Sequence, residues 1–243
     1  MKRLILLLFL AVPSWSYTVV QSNEGNNFNT TTLAVAYNSN VTAGNILAVT
    51  GYEEGASLAV ADSLNGSFTV STSCTNGSLN YFVAYFANTK AGADTVTLTT
   101  SGSTGNLLVI TEVSGVAISN VVDVSGASTG FAGATPSISI SPANANDFIF
   151  GGIEIANSAG SAGTGFTQIY PTSGAGGVVA QWGTNASAGA FSFAFSNSSP
   201  GSGAWNIAGT AFNGATGGVV KPKNNLLIQG GKFSIQGGKV TVQ

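Results

Sequence analysis

The sequence predicts an all-β sandwich, and three observations carry that expectation. Apolar and polar residues alternate with period two through most of the chain, whereas no stretch after residue 17 repeats with helical spacing. Turn signals such as Asn65-Gly66, Asn76-Gly77, Ala91-Gly92 and Pro200-Gly201 cut the chain at short intervals. Only 7% of residues are charged while 44% are apolar, so the polar half of each strand is Ser and Thr rather than Lys and Glu. That balance excludes intrinsic disorder, which needs low hydrophobicity and high net charge.

The elements follow in order. "MKRLILLLFLAVPSWSY" reads as a secretory signal peptide over 1–16. Lys2 and Arg3 are its basic start, Leu4 to Val12 its apolar stretch, and Ser14 and Ser16 its small-x-small cleavage site. Nine apolar residues are too few to span a bilayer, and no later segment qualifies. The expected location is therefore extracellular, on a cell or virion surface. A body follows over 17–214. Runs that are apolar on both sides, Ile46–Val49, Tyr81–Ala87, Leu107–Val113 and Phe148–Phe150, read as central strands covered on both faces. Alternating runs at 137–141, 191–195 and 95–99 read as half-buried strands.

The body repeats itself. "GNILAVTGY" (44–52) matches "NDFIFGGIEI" (146–155), "GSFTV" (66–70) matches "TGFTQI" (164–169), and "LLVITEVSG" (107–115) matches "NIAGTAFNG" (206–214). The offset is 102 from Gly44 to Asn146, 98 from Phe68 to Phe166, 97 from Gly92 to Gly189 and 99 from Gly115 to Gly214. Two related halves, about 30–115 and 136–214, each show some five convincing strands, fewer than a self-standing sandwich wants. One jelly-roll domain built from both halves is the preferred expectation, and two small β-domains the alternative.

The run "VTAGNILAV…ADSLNGSFTV…YFVAYFANTKAGADTVTLT…LLVITEVSGV…VVDVSGAS" resembles a lectin-like jelly-roll module of secreted bacterial proteins and phage virion structural proteins, over roughly 30–213. In that module a "tAGnlLvv" strand precedes a turn, a strand pair and an "E(Y/V)SG" strand. These motifs are structural, so the resemblance implies a fold and no particular ligand. The chain departs from the pattern at Leu64-Asn65-Gly66, where the module commonly has Gly-Asn.

Residues 215–225, with Gly, Pro222 and two lysines, read as a linker. "LLIQGGKFSIQGGKVTVQ" (226–243) then predicts a three-stranded meander. Turns at Gly230-Gly231 and Gly237-Gly238 pair Gln229 with Lys232, Ile228 with Phe233 and Ile235 with Val240. Leu226, Ile228, Phe233, Ile235, Val240 and Val242 then share one face, with Lys232 and Lys239 beside the turns. Eighteen residues in so small a sheet are marginal alone, so this apolar face predicts an assembly contact. Charge agrees. Residues 17–220 carry one lysine against nine acids, net −8, whereas 221–243 carry four lysines and no acid.

Chemistry-bearing residues are few. The chain has no histidine, which excludes Ser-His-Asp and Cys-His catalysis and His-ligated zinc. Glu112 and Glu154 are the two acids inside apolar strands, the pair a glycosidase would need across one groove. The mature chain has no arginine to support such a site, and a catalytic role is not expected. Asp62 and Asn65 in "ADSLNGS" offer oxygens for calcium or, more simply, an Asx turn. Cys74, the one cysteine, reads as a buried small residue. Trp182 and Trp205 are the candidate sugar-stacking residues. The expectation is a non-enzymatic exported structural or adhesive protein, such as a virion decoration component, forming a homo-oligomer or a larger surface assembly through its tail. It expects no cofactor, no nucleic acid and no membrane span. A carbohydrate-binding lectin-like module and a cell-surface filament subunit are the alternatives.

Overall fold

The computed structural model describes residues 17–55, 57–131, 135–155, 160–171, 177–196 and 203–215, and the backbone of three C-terminal strands. Trp15–Gly214 form one compact unit, and Ala215–Gln243 belong to a second.

The first half of the body contains β1 (Thr18–Ala36), β2 (Ile46–Glu53), β3 (Leu58–Asp62), β4 (Thr69–Asn76), β5 (Leu79–Phe86) and β6 (Thr95–Ser114). The second contains β7 (Val122–Gly130), β8 (Ser137–Ile140), β9 (Phe148–Ile155), β10 (Ser161–Ala162), β11 (Thr167–Pro171), β12 (Gly177–Thr184), β13 (Phe191–Ser196) and β14 (Trp205–Phe212). All paired strands are antiparallel. The largest sheet has the order β1-β6-β2-β5-β4, and its counterpart reads β7-β14-β9-β12-β11 from the equivalent edge. In the first half the long strands β1 and β6 bend out of this layer, and their far ends pair with each other while β3 pairs β6. In the second half the same small layer is made by the separate strands β8, β13 and β10.

The correspondence extends to register. Thr50 opposite Val83 in β2–β5 becomes Gly152 opposite Ala180 in β9–β12. Val60 opposite Leu98 becomes Ala162 opposite Phe195. Even the β-bulges recur: one between Val70 and Thr72 matches one between Gln168 and Tyr170. Another, between Val19 and Gln21 in β1, matches the one where Val122 and Val124 of β7 meet β14. A bulge adds one residue and re-aims the strand, so keeping it in both halves keeps every later side chain on its face. The repeat thus takes in β1 from its start and all of β7, beyond 30–115 and 136–214.

Alternation then divides the core into three. Leu47, Val49, Phe82, Leu108 and Ile110 turn one way and pack with Val35, Val60, Val96 and Leu98 of the first small layer. Ile149, Ile153, Val179 and Ile207 do the same with Ile138, Ile140, Phe193 and Phe195 in the second half. The opposite faces, with Ile46, Ala48, Tyr81, Val109, Phe148, Phe150, Ala180 and Phe212, meet each other. The body is therefore four layers deep. Of the runs that read as apolar on both sides, those in β2 and β9 lie in strands buried on both faces, and those in β5 and β6 are buried over Tyr81–Ala84 and Leu107–Val113; β14 is buried on both faces as well.

In the C-terminal unit, β15 (Leu226–Ile228), β16 (Gly231–Gln236) and β17 (Lys239–Val242) form an antiparallel three-stranded sheet. The second hairpin has the expected register, with Ile235 opposite Val240 and Gln236 opposite Lys239. The first differs: Leu226 lies opposite Phe233, Leu227 opposite Lys232, and Ile228 opposite Gly231. The pairing has slid by two residues, which preserves the period-two parity and so the set of positions that share a face.

Candidate functional site

The acids of the body lie in well-defined surroundings. Glu112 sits at the end of β6 on the face shared with Leu108 and Ile110, and it is fully buried. Its Oε1 accepts from Thr42 N at 2.8 Å and Asn45 Nδ2 at 2.6 Å, and its Oε2 from Gln21 Nε2 at 2.7 Å. These donors stand in for a missing cation, since amide donors stabilise a buried carboxylate where no arginine or lysine is near. Glu53 is likewise fully buried and accepts from Asn80 Nδ2 and Gly55 N. Asp62 accepts from the backbone amides of Leu64, Asn65 and Gly66 and from Asn65 Nδ2. That arrangement is an Asx turn whose carboxylate is already saturated. Among the described residues no group of three metal-ligating side chains is present.

Glu154 differs from Glu112. It projects from β9 on the face of Phe148 and Phe150, between the two large sheets, and accepts from Asn206 Nδ2 at 3.1 Å. Burial pushes its carboxyl above the ordinary range, against the effect of Asn206. Alternation therefore turns the two glutamates into different compartments, and the structure does not bring them together across one groove. At the other end of the body Asp147, 1% exposed, faces Asp123. Burial first, and then the neighbouring Asp123 carboxylate, raise Asp147 to about 8.

The two tryptophans separate. Trp205 is buried in the outer core of the second half, over Gly130, so its ring is not offered to a ligand. This corrects the expectation for Trp205. In "WNIAGTAF" both faces are buried, and alternation alone does not say that neither side meets solvent. Trp182 is half-buried on the inter-sheet face of β12 and stacks on Phe148 with ring centroids 5.6 Å apart.

Two half-buried tyrosines that belong to no motif in the sequence lie on the same inter-sheet face as Trp182: Tyr52 at the end of β2 and Tyr170 on β11. Register places Tyr52 in one row with Leu107 of β6 and Asn26 of β1. Burial raises Tyr52 to about 12, with Glu54, Glu154 and Tyr170 adding to the shift. Burial also raises Tyr170, with Glu24 adding and a hydrogen bond with Asn26 opposing. These shifts place Tyr52, Tyr170, Glu24, Asn26, Glu54 and Glu154 around one end of the seam between β1 and β11. A tyrosine next to a glutamate is a weak signal in sequence, because the residues come from four separate strands and the β2–β3 loop.

Cys74 on β4 is partly buried against the inter-sheet core; its thiol donates to Ile207 O at 3.5 Å. The tail positions Leu226, Ile228, Phe233, Ile235, Val240, Val242, Lys232 and Lys239 all fall on β15–β17, whose side chains lie outside the described residues. No family model matches the chain, and neither a curated protein nor a solved structure matches it. No helix among the described residues is long and apolar enough to cross a membrane.

Proposed function

We propose that the chain is a non-enzymatic exported structural protein of a surface, a virion component or a cell-surface or filament subunit, held in place by its C-terminal meander. The observation that supports this reading is the division of the chain into a compact body and a second unit whose three strands form a sheet of their own. A sheet of three short strands cannot bury both of its faces by itself, so it gains stability by covering one against another surface. Opposite charge favours the encounter, with +4 over 221–243 and −8 over 17–220. The body contributes rigidity: its buried carboxylates Glu53 and Glu112 are occupied as hydrogen-bond acceptors in the scaffold.

The experiment is sedimentation velocity of the mature chain with and without residues 221–243. The full chain should sediment as an oligomer whose population falls with added salt. The truncated chain should remain folded and monomeric. A full chain that is monomeric at high concentration would overturn the reading.

A further inference from the structure

The repeat relates the two long seams between the large sheets, and the seams are not alike. On one side β4 runs close to β7 and β14. Ser71 Oγ lies 2.7 Å from Thr210 Oγ1, Ser125 Oγ donates to Ser71 O at 2.9 Å, and Asn76 Nδ2 donates to Gly130 O at 3.2 Å. On the other side β1 faces β11, and β6 faces β12. Among the described residues these strands show no comparable backbone approach, and the hydrogen bond of Asn26 with Tyr170 reaches across between side chains.

Position by position, the register shows what changed. In the closed seam Ser125 pairs with Thr210 and Ala127 with Ala208; in the open one Ser22 pairs with Thr111 and Glu24 with Val109. Thr129 opposite Asn206 becomes Asn26 opposite Leu107. Across the seam, Thr72 opposite Val83 becomes Tyr170 opposite Ala180. Small side chains that let the sheets close are thus replaced by a carboxylate, an amide and a phenol. Thr111 records the consequence. Its counterpart Thr210 has a hydroxyl partner, whereas Thr111 Oγ1 is fully buried and has none. A buried hydroxyl without a partner costs about 1–3 kcal/mol, so the divergence of this seam is kept at some expense of stability.

We infer that the open β1–β11 seam binds a neutral oligosaccharide. Tyr52, Tyr170 and Trp182 present half-buried rings that can pack on the C–H faces of sugar rings. Exposed Glu24 and Asn26 supply acceptors and a donor for sugar hydroxyls. Successive rows on a strand face lie about 7 Å apart, so aromatic groups on different rows suit several linked rings rather than one. The charge selects against anionic glycans. Glu24, Glu54 and Glu154 surround Tyr52 and Tyr170, and the one lysine of the body, Lys90, donates to Leu64 O elsewhere. The site is built from residues of the body and extends the surface role to one with a ligand.

The test is calorimetric titration of the full mature chain with cellohexaose, xylohexaose, chitohexaose and mannohexaose, and with a sulfated heparin hexasaccharide. At least one neutral hexamer should bind, and the sulfated one should not bind more tightly. Tyr170→Ala and Asn26→Ala should each weaken binding at least tenfold, while Thr72→Ala at the matching position of the closed seam leaves it unchanged. Glu24→Gln and Asn26→Ala alter exposed side chains, so they carry the test if Tyr170→Ala fails to fold. No binding by any neutral hexamer, preference for the sulfated one, or binding unchanged in the seam variants would each overturn the inference. The titration reads binding and not oligomeric state, so its failure is separable from failure of the assembly reading.

Discussion

The Tyr81 hydroxyl occupies the space where Gly152 has no side chain: a Cβ at Gly152 would lie 2.1 Å from it. Tyr81 rises from β5 of one large sheet, and Gly152 lies in β9 of the other, so this contact sets the spacing of the two halves. Thr50, the counterpart of Gly152 in the repeat, donates to the same hydroxyl at 3.1 Å. A duplicated position has thus diverged, one copy gripping Tyr81 and the other making room for it. Gly152→Ala should therefore destabilise the body by about 1–3 kcal/mol, in the range for overpacking a dense core. Adding Tyr81→Phe should recover only part of this, because the Val179 carbonyl also lies 2.7 Å from the added carbon. Urea denaturation of the single and double variants measures both terms, and a neutral Gly152→Ala would show that the sheets are free to move apart.

Glu112 and Glu154 should respond in opposite ways to the same change. Glu112→Gln replaces a carboxylate oxygen with an amide that cannot accept from Thr42, Asn45 and Gln21 together. A loss of about 2–3 kcal/mol follows, as for a buried charge-assisted network left half-satisfied. Glu154 is held above its ordinary range by burial, so Glu154→Gln removes a desolvated charge and should be neutral or stabilising at pH 8. Equal destabilisation of both variants in thermal melts would contradict this account.

What the sequence discloses depends on how much each residue is constrained. Phe68 and Phe166, or the strands beginning at Ile46 and Phe148, carry enough bulk and pattern to be matched by eye. The polar strands do not: β4 "TVSTSCTN" and β7 "VDVSGASTG" are edge strands of the large sheets, with mostly half-buried hydroxyls and glycine. They look like loop until their partners are known, which is why each half reads as having too few strands. The first tail hairpin pairs Ile228 with Gly231 rather than with Phe233; a two-residue slide leaves the face pattern intact, so hydrophobic pattern alone cannot choose between the two registers. Trp205 reads as a candidate stacking residue for the converse reason: alternation identifies faces but not which faces meet a further layer. The open seam was invisible, since Thr111 and Thr210 are both threonines in apolar strands and differ only in what stands across from them.

Stability should fall as the pH rises. Asp147 has its pKa raised to about 8 in the folded chain against about 3.9 unfolded, so the unfolded state releases its proton first. Its contribution is complete below about pH 4 and is lost as the pH climbs through 8. The groups facing it, Asp123 and Tyr17, act in the same sense, since Asp123 repels the charged form and burial and Asp147 together raise Tyr17. Asp147→Asn, which installs the residue found at the matching Asn45, should flatten this slope and gain about 1–2 kcal/mol at pH 9 after allowance for solvent screening. Guanidinium midpoints at pH 5 and pH 9 for both proteins decide it; a midpoint that does not fall in the unsubstituted chain would refute the assignment.

Cys74 should be an inert thiol in the folded protein. Burial raises it to about 11, and that effect outweighs the backbone hydrogen bonding at Ile207 and Ser128 that favours the thiolate. At pH 8 the thiolate is then about a thousandfold scarcer than the thiol, and the sulfur faces the inter-sheet core rather than open solvent. The expected outcome is slow labelling by a disulfide reagent in buffer, at a rate governed by opening of the β4–β7 seam, and fast labelling in denaturant. Because Ser71, Ser125 and Thr210 hold that seam shut, Ser71→Ala should accelerate labelling of Cys74 severalfold while Tyr170→Ala, on the opposite seam, should not. Rapid labelling of the native chain, or oxidation to a disulfide-linked dimer in air, would show that the closed seam opens freely.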